Sequence, residues 1–420
     1  MRFSERFTGE NAVLSGNFLL LLITWILMNS TQPIAGTFSS KYFVSLGASP
    51  FLLSMMFFVS SLAIAFVQLP GGYLADQHGR KWLVAVMTFG LSFGYLFLVF
   101  APSWQWVVLG LVVQNLCMIY QPALMAMMVD SLAPSKRGTG LNFYSVVTGL
   151  VAIPAPLIAG ALILEKGNYI SPQSDFGVRI AYAIVFGAYI VASFIRLKLR
   201  ETLPFAGKSG RPQFMQAFRR YPRTIKESLE VWFQAPKSAY YLFITTIGIN
   251  SLTAGCQIFL VLYATETLKI TGSQYAVAAT FMAVGPILPA LLAGLHMDVR
   301  GRKHYLLLGY LLYIPAMILF IGANFYMLLA SFFILGLANI LEANGAQALL
   351  GDLIPRENRG KAVGSLQFFM YMVQAFAYLL VGFLYSYVAT WLPFLLLATI
   401  AVPLSFIVSL KISDPIIKEE

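Results

Sequence analysis

The chain has 420 residues, of which 59% are hydrophobic and only 11% are charged, and its formal net charge is +11. A soluble domain carries about a quarter charged residues, so this composition excludes a soluble globular protein and predicts membrane-spanning helices of about 20 residues. The positive charge does not indicate a nucleic-acid-binding protein, because it is concentrated on one side of the predicted membrane segments.

Twelve apolar segments follow one another along the chain, and each is long enough to cross a membrane as a helix. They are predicted at 15–40, 51–75, 82–101, 104–131, 139–164, 178–198, 239–266, 274–297, 304–322, 325–351, 361–387 and 390–411. One long hydrophilic segment separates the sixth span from the seventh. We therefore predict an all-α membrane protein with two pseudo-symmetric six-helix bundles, 1–198 and 239–420, joined by a cytoplasmic linker, 199–238.

The basic residues indicate the orientation of these spans. All but four of the 28 Lys and Arg residues fall in loops or ends on one side of the membrane. The four exceptions are Lys41, Lys166, Arg179 and Lys269. By the positive-inside rule, both termini are expected in the cytoplasm, and the protein is expected in the plasma membrane.

The linker carries an amphipathic pattern. Phe218, Ile225, Leu229 and Trp232 recur at helical spacing among basic residues. This pattern predicts a helix on the cytoplasmic leaflet, with its basic residues toward anionic lipid. A plain solvated connector is the alternative.

One short phrase occurs twice, 222 residues apart. Its first copy contains Gly72, Asp76, Gly79, Arg80 and Lys81, and its second copy contains Gly294, Asp298, Gly301, Arg302 and Lys303. A second phrase repeats at the same offset, with Asp130 and Arg137 in one copy and Asp352 and Arg359 in the other. A half-length repeat in a chain this apolar is typical of secondary transporters.

The acidic residues of these phrases need partners. Asp76 and Asp130 lie at the C-terminal ends of the second and fourth spans, where the helix dipole disfavours a negative charge. Arg80 is a candidate partner for both carboxylates. The positive N-terminus of span eleven, near Gly360 and Lys361, is another candidate for Asp76, and Arg137 is a further candidate for Asp130. The second copy offers the equivalent residues for an equivalent cluster.

The repeated phrase resembles the loop signature between helices two and three of the major facilitator superfamily, and its copy resembles the counterpart between helices eight and nine. Gln77 and Val299 stand where that family usually has Arg. The resemblance covers the whole chain and favours the twelve-span drug:proton antiporter group. It implies rocker-switch alternating access, in which the two loop clusters latch the halves together on the cytoplasmic side. The alternative is that the clusters only fix the topology.

The fifth span contains Pro154, Pro156 and Gly160, which resemble the helix-five motif of antiporters in this superfamily. The alternative is that these residues only bend or pack the helix. The fourth span departs from the proton-coupled exporters, because Gly110 stands where they often carry an Arg.

The same resemblance implies a cavity lined by spans one, four, seven and ten. Polar side chains at helical spacing are the candidate substrate-binding residues. They are Trp25, Asn29 and Gln32 in span one, Gln114 and Gln121 in span four, Asn250 and Gln257 in span seven, and Asn339 in span ten, with Gln374 added from span eleven. Polar groups are costly against lipid, so they are expected to face a cavity or other helices, which they can also join by hydrogen bonds.

Glu342, in span ten, is the only carboxylate that the sequence places well inside the hydrocarbon region. An ionisable side chain there is a candidate functional group, so we interpret Glu342 as the proton-coupling residue. The alternative is a permanently protonated side chain bonded to Asn339 or to a backbone carbonyl.

These observations predict a secondary transporter that exports a small organic solute by proton antiport, most simply as a monomer in the lipid bilayer. Proton-coupled uptake of a sugar or other nutrient, lipid translocation and a receptor on a transporter scaffold are the alternatives. No deep Arg or Lys is predicted in the cavity, which counts against anionic substrates. No metal site, cofactor or catalytic group is predicted, so an enzyme is not expected.

Overall fold

The computed structural model describes residues 16–133, 137–163, 175–203, 221–289 and 301–414. These residues form helices joined by short connections, and they contain no strand. Within them, 11 helices are long and apolar enough to cross a membrane. The all-α membrane fold is therefore confirmed. The eighth predicted span, 274–297, lies partly outside the described residues.

The helices of the N-terminal part follow the first six predicted spans. They are α1 (Gly16–Gly36), α2 (Ser39–Ser45), α3 (Pro50–His78), α4 (Arg80–Val99), α5 (Trp104–Cys117), α6 (Gln121–Asp130), α7 (Arg137–Ala152), α8 (Ala155–Ile163) and α9 (Asp175–Leu197). A single 3₁₀ turn, Met118–Tyr120, joins α5 to α6 within the fourth span.

The helices of the C-terminal part begin in the predicted linker. They are α10 (Tyr221–Gln234), α11 (Lys237–Leu262), α12 (Gly272–Val284), α13 (Lys303–Ile321), α14 (Phe325–Leu353), α15 (Arg356–Phe383) and α16 (Leu392–Lys411). π-helical turns at Tyr263–Thr267 and Leu384–Val388 extend α11 and α15.

The chain divides into two compact units. The first comprises Met1–Ser39, Phe66–Ile163 and Pro172–Tyr221, and the second comprises Ser40–Ala65, Leu164–Ser171 and Pro222–Glu420. In the first unit, α4 packs against α5 and α9, and α1 packs against α9. In the second, α13 packs against α14 and α16, and α11 packs against α15 and α16. The bundle boundaries deduced from the repeat stay a prediction.

The fifth span is broken at its proline motif. Helix α7 ends at Ala152, and α8 begins at Ala155. Pro154 lies in the turn between them, and its carbonyl accepts the first new bond from Ile158 N at 3.0 Å. Because proline has no N–H to donate, it interrupts the ladder of helical hydrogen bonds. Pro156 and Gly160 both lie in α8, and their antiporter role stays a prediction.

Gly110 occupies the point where α5 crosses α4. A Cβ atom there would lie only 2.8 Å from Gly94 O, so the crossing has no room for a side chain. Gln114, one turn further along α5, packs against Gly94 and is 9% exposed. This packing explains why Gly110 cannot be an arginine here. It also places Gln114 between α4 and α5, apart from the other candidate amides.

The predicted linker contains a helix over Tyr221–Gln234, while Phe218 lies outside the described residues. Trp232 of this helix packs on protein, and the placement of the helix on the cytoplasmic leaflet stays a prediction. Trp232 is 2% exposed, its Nε1 donates to Ser365 Oγ at 2.8 Å, and its ring stacks on Phe243 at 4.4 Å. Helix α10 is therefore docked on the second unit.

Candidate functional site

Five of the predicted polar residues meet around one cavity in the second unit. The cavity has a volume of about 410 Å³. Its predicted lining residues are Asn250, Gln257, Asn339, Glu342 and Gln374, and the remaining ones are Thr253, Ala254, Ala343 and Met370. They come from α11, α14 and α15, which correspond to predicted spans seven, ten and eleven.

Glu342 lies in α14 and is only 3% exposed. Its Oε1 accepts a hydrogen bond from Asn250 Nδ2 at 2.9 Å, and Asn250 Nδ2 also lies 3.0 Å from Thr246 O. None of the ion pairs among the described residues includes Glu342. The carboxyl group is thus held by a neutral amide rather than neutralised by a cation. Protonation of the Glu342 carboxyl group would therefore change its hydrogen bond with Asn250.

The backbone position of Glu342 is fixed by a close crossing of two helices. A Cβ atom on Gly309 of α13 would lie 2.7 Å from Glu342 N and 3.1 Å from Ala338 O. Glycine at this position lets the two backbones approach directly, and this contact holds the carboxyl-bearing turn of α14 in place.

The neighbouring amides have partners that sequence reasoning missed. Asn339 Oδ1 accepts from the Tyr313 hydroxyl at 2.7 Å, so Asn339 is not the partner of Glu342 that one alternative had assumed. Gln374 Nε2 donates to the Tyr378 hydroxyl at 2.7 Å. Tyrosines at helical spacing near a polar stripe were the available signal for both contacts.

A second cavity, of about 360 Å³, shares Asn250, Glu342, Ala343 and Met370 with the first. It is also lined by Trp232 and Phe243, beside the linker helix. Along α11, this cavity contacts the turn before Asn250, and the first cavity contacts the turn after it. The Asn250–Glu342 pair therefore forms part of the wall of both cavities.

In the first unit, the predicted residues of spans one and four lie in different surroundings. Trp25 packs edge-on against Tyr144, with ring centroids 5.6 Å apart, and its Nε1 has no hydrogen-bond partner. Gln121 Oε1 also lacks a partner. Asn29 Nδ2 donates to Trp25 O at 2.9 Å within its own helix, and Gln32 is exposed.

This unit also contains a buried cation that the sequence did not indicate, and it lines neither of the two cavities above. Arg196, near the end of α9, is fully buried, with 0% of its surface exposed. Its Nε donates to Thr24 Oγ1 at 3.2 Å and its Nη1 to Thr88 Oγ1 at 2.7 Å. The aromatic ring of Tyr120 lies 5.5 Å from Arg196 Cζ.

The repeated loop phrases form equivalent ion pairs in the two units. Arg80 pairs with Asp130 in the first unit, and Arg302 pairs with Asp352 in the second. The prediction that Asp130 needs a cationic partner is confirmed, and the partner is Arg80 rather than Arg137. Arg302 also donates to Ala348 O at 2.8 Å.

Several residues of the same predicted clusters take no part in these pairs or cannot be placed. Arg137 is exposed at the start of α7, and Arg359 Nε donates to Ile354 O at 3.0 Å. Gly294 and Asp298 lie outside the described residues, as do the surroundings of Gly72 and Asp76. The latch role of the clusters stays a prediction.

The two loops share a backbone shape that only glycine adopts readily. Gly79 has a φ of 93° and Gly301 a φ of 94°, both in the left-handed region. Each glycine turns the chain directly before the first turn of the next helix, α4 or α13.

The first turns of α4 and α13 are each capped by a carboxylate side chain. This side chain lies just after the last helix of the same unit. Glu201 Oε2 accepts from Lys81 N at 3.0 Å. Asp414 Oδ1 accepts from Arg302 N and Lys303 N, both at 3.0 Å. A carboxylate is favourable at a helix N-terminus, where backbone N–H groups lack partners. Neither cap was predicted.

The sequence model described as Major Facilitator Superfamily matches residues 13–255 and 242–419, nearly the whole chain. The chain belongs to the major facilitator superfamily. Within the described residues, no group of three or more His, Cys, Asp or Glu side chains could hold a metal ion. The polar cavity and its buried carboxyl group are therefore features of a major facilitator transporter.

Solved structures of this superfamily resemble the chain closely in fold and distantly in sequence. The peptide transporter POT in complex with sulfate has a TM-score of 0.71 at 15% identity, covering 94% of this chain and 93% of that one. The nucleoside transporter NupG has a TM-score of 0.67 at 15% identity, with 95% and 100% covered. A bacterial homologue of the human lysosomal transporter Spinster has a TM-score of 0.69 at 15% identity, with 97% and 100% covered. No curated protein matches the chain.

Proposed function

We propose that this protein is a proton-coupled secondary transporter of a small organic solute, and that Glu342 carries the coupling proton. The observation that supports this most directly is a carboxyl group, buried in a membrane helix, that borders two cavities and accepts a hydrogen bond from the Asn250 amide at its Oε1. Intramembrane carboxyl groups are expensive to retain without a function.

The chemistry of the pair accounts for the coupling. As an anion, Glu342 accepts a hydrogen bond from Asn250; when protonated, it can instead donate one to the Asn250 carbonyl oxygen. Each state therefore favours a different orientation of the amide. Because the pair borders both cavities, protonation alters the polarity that a solute meets in each of them.

The proposed direction is export by antiport, which rests on the helix-five motif around Pro154 and Pro156. In this proposal, alternating access is controlled at the cytoplasmic side by the loop clusters of Arg80 and Arg302. Proton-coupled uptake is the second candidate, because the amides of Asn339 and Gln374 can bind the hydroxyl groups of a sugar or similar nutrient. Lipid translocation remains a further alternative.

The proposal includes a monomeric protein in the plasma membrane with both termini in the cytoplasm. Its partners are the solute, protons and the surrounding lipid, with no nucleic acid and no cofactor. Catalysis is not part of the proposal.

The test is proton movement in proteoliposomes that contain a pH-sensitive dye. The wild type is compared with Glu342→Gln, using organic cations, organic acids, neutral drugs and sugars as solutes. We expect at least one solute to evoke proton movement in the wild type, and Glu342→Gln to abolish that movement. Oppositely oriented pH gradients then distinguish export from uptake.

Glu227→Gln is the matched control, because it neutralises an exposed carboxylate in the linker helix, where Glu227 pairs with Arg223. This variant should behave as the wild type. Solute-evoked proton movement that persists in Glu342→Gln would contradict the role of Glu342. Solute exchange without any proton movement in the wild type would contradict proton coupling itself.

A further inference from the structure

Arg196 carries a full positive charge that the described residues do not neutralise. Its Nε and Nη1 bind two threonine hydroxyls, but its Nη2 has no hydrogen-bond partner. No carboxylate among the described residues forms an ion pair with it. The side chain is nevertheless completely buried in a membrane bundle. Buried charges are normally paired, because an unpaired one costs several kcal/mol of desolvation.

A second arginine in the same helix shows what a structural role looks like. Arg179 Nη1 donates to Val99 O at 3.0 Å, and its Nη2 donates to Ala101 O at 2.7 Å. Val99 is the last residue of α4 and Ala101 lies two residues beyond it, so Arg179 sits at a helix C-terminus, where the helix dipole favours a positive charge. Both terminal nitrogens of Arg179 are thus occupied, whereas one of those in Arg196 is free.

The helices around Arg196 also offer further unsatisfied polar atoms. Thr24 is followed by Trp25, whose Nε1 has no partner, and Tyr120 is followed by Gln121, whose Oε1 has none. Two of the residues that contact the guanidinium group, Thr24 in α1 and Tyr120 in the 3₁₀ turn, are therefore each followed by a residue with an unpaired polar atom.

Aromatic rings complete this cluster. Tyr120 lies against the guanidinium group, at 5.5 Å from Cζ. Tyr144 interacts electrostatically with Arg196, packs edge-on against Trp25, and is only half-buried. The unpaired N–H of Arg196 thus lies in a side chain beside Tyr120, and that of Trp25 in a side chain beside Tyr144, and such rings can cover the apolar part of a ligand.

We propose that Arg196 binds a carboxylate group of the transported solute, with Trp25 Nε1 as a second donor. This proposal names the substrate class and rests on the proposed transport function. A guanidinium group forms charge-assisted hydrogen bonds with a carboxylate, whose two oxygens match its fork. One guanidinium offsets one negative charge, so a carboxylate fits better than a doubly charged phosphate. The aromatic rings favour an aromatic or similarly flat acid.

The experiment measures ligand-induced thermal stabilisation of the purified full-length protein. The probes are benzoate, phenylacetate and hippurate, with benzyl alcohol and benzylamine as neutral and cationic analogues and inorganic phosphate as a competing anion. Ligands that bind only the native state raise the unfolding midpoint. We expect at least one carboxylate to raise it, and the neutral and cationic analogues to leave it unchanged.

Arg196→Met should weaken carboxylate binding about tenfold or more, since charge-assisted hydrogen bonds are lost. The unfolding midpoint of the ligand-free variant should stay the same or rise, because an unpaired buried charge is removed. The two threonine hydroxyls keep their own bonds to backbone carbonyls. Arg179→Met, the matched control, should show the opposite pattern, with a lower midpoint and unchanged carboxylate binding.

Arg196→Lys provides a second variant that keeps the charge but loses the fork, and it should retain weakened carboxylate binding. Three results would overturn the proposal: no stabilisation of the wild type by any carboxylate, stabilisation only by phosphate, or carboxylate stabilisation that persists in Arg196→Met. If carboxylate binding fails while solute-evoked proton movement still requires Glu342, only the carboxylate site is wrong and the proposed transport function stands.

Discussion

Removing the indole of Trp232 should detach the linker helix from the second unit. The side chain is 2% exposed and stacks on Phe243 at 4.4 Å, so Trp232→Ala deletes a buried aromatic contact. Such truncations cost about 3–5 kcal/mol. Trp232→Phe keeps a ring against Phe243 and loses mainly the bond to Ser365, which should cost about 0.5–1.5 kcal/mol. Ser365 Oγ retains its own bond to Ala362 O at 2.9 Å, so no donor is left unpaired.

Hydrogen exchange of the backbone amides in α10, followed by mass spectrometry, measures this effect. A loss of about 3–5 kcal/mol raises the undocked population by about 10² to 4 × 10³ and should speed amide exchange accordingly, up to the fully open limit. The neighbouring Phe233 is 72% exposed, so Phe233→Ala is the matched control and should change the exchange little. If Trp232→Ala exchanges no faster than Phe233→Ala, Trp232 does not hold the helix, and the reasoning from burial fails.

Two further predictions concern the loop caps and the helix crossing. Burial of Glu201 raises the pKa of its carboxyl group. The backbone N–H groups that bind the carboxylate lower this pKa by a larger amount, so the pKa lies below its ordinary value. Its stabilising contribution is therefore present above the unfolded-state pKa and is lost as the pH falls through the lower folded-state pKa. The unfolding midpoints of the wild type and Glu201→Gln should differ at pH 7 and converge below about pH 4. An equal difference between the two midpoints at both pH values would contradict the capping role of Glu201. Gly309→Ala should destabilise the protein by about 1–3 kcal/mol and disturb the position of Glu342. The control is Gly364→Ala, where the added Cβ meets open space, and it should be neutral or stabilising in the same melting assay.

The sequence predicted the parts of the molecule that depend on local pattern. Apolar length predicted the spans, and the misplaced charge at the end of the fourth span predicted that Asp130 pairs with a nearby cation. The copy of that phrase extended the prediction to Arg302 and Asp352. These inferences hold because helix length and helix dipole act within one element or between elements joined by a short loop.

Contacts between distant helices could not be predicted in this way. The partner of Glu342 is Asn250, 92 residues away, whereas the sequence suggested Asn339 on the same helix face. The sequence places Arg196 at the cytoplasmic end of the sixth span, because its backbone lies in the last turn of α9. Helical side chains point toward the N-terminus of their helix, so the long arginine carries its guanidinium group back into the bundle. Packing of several spans decides such contacts, and one sequence contains no record of it.

The carboxylate caps have a consequence for any shortened version of the chain. Asp414 lies after the last helix, in a stretch that looks dispensable, yet it caps the first turn of α13 through Arg302 N and Lys303 N. A truncation after Lys411 would remove the Asp414 carboxylate, so the backbone N–H groups of Arg302 and Lys303 would lose their hydrogen-bond acceptor. The residues up to Asp414 therefore help to stabilise the second unit, and a purification tag is better attached after them.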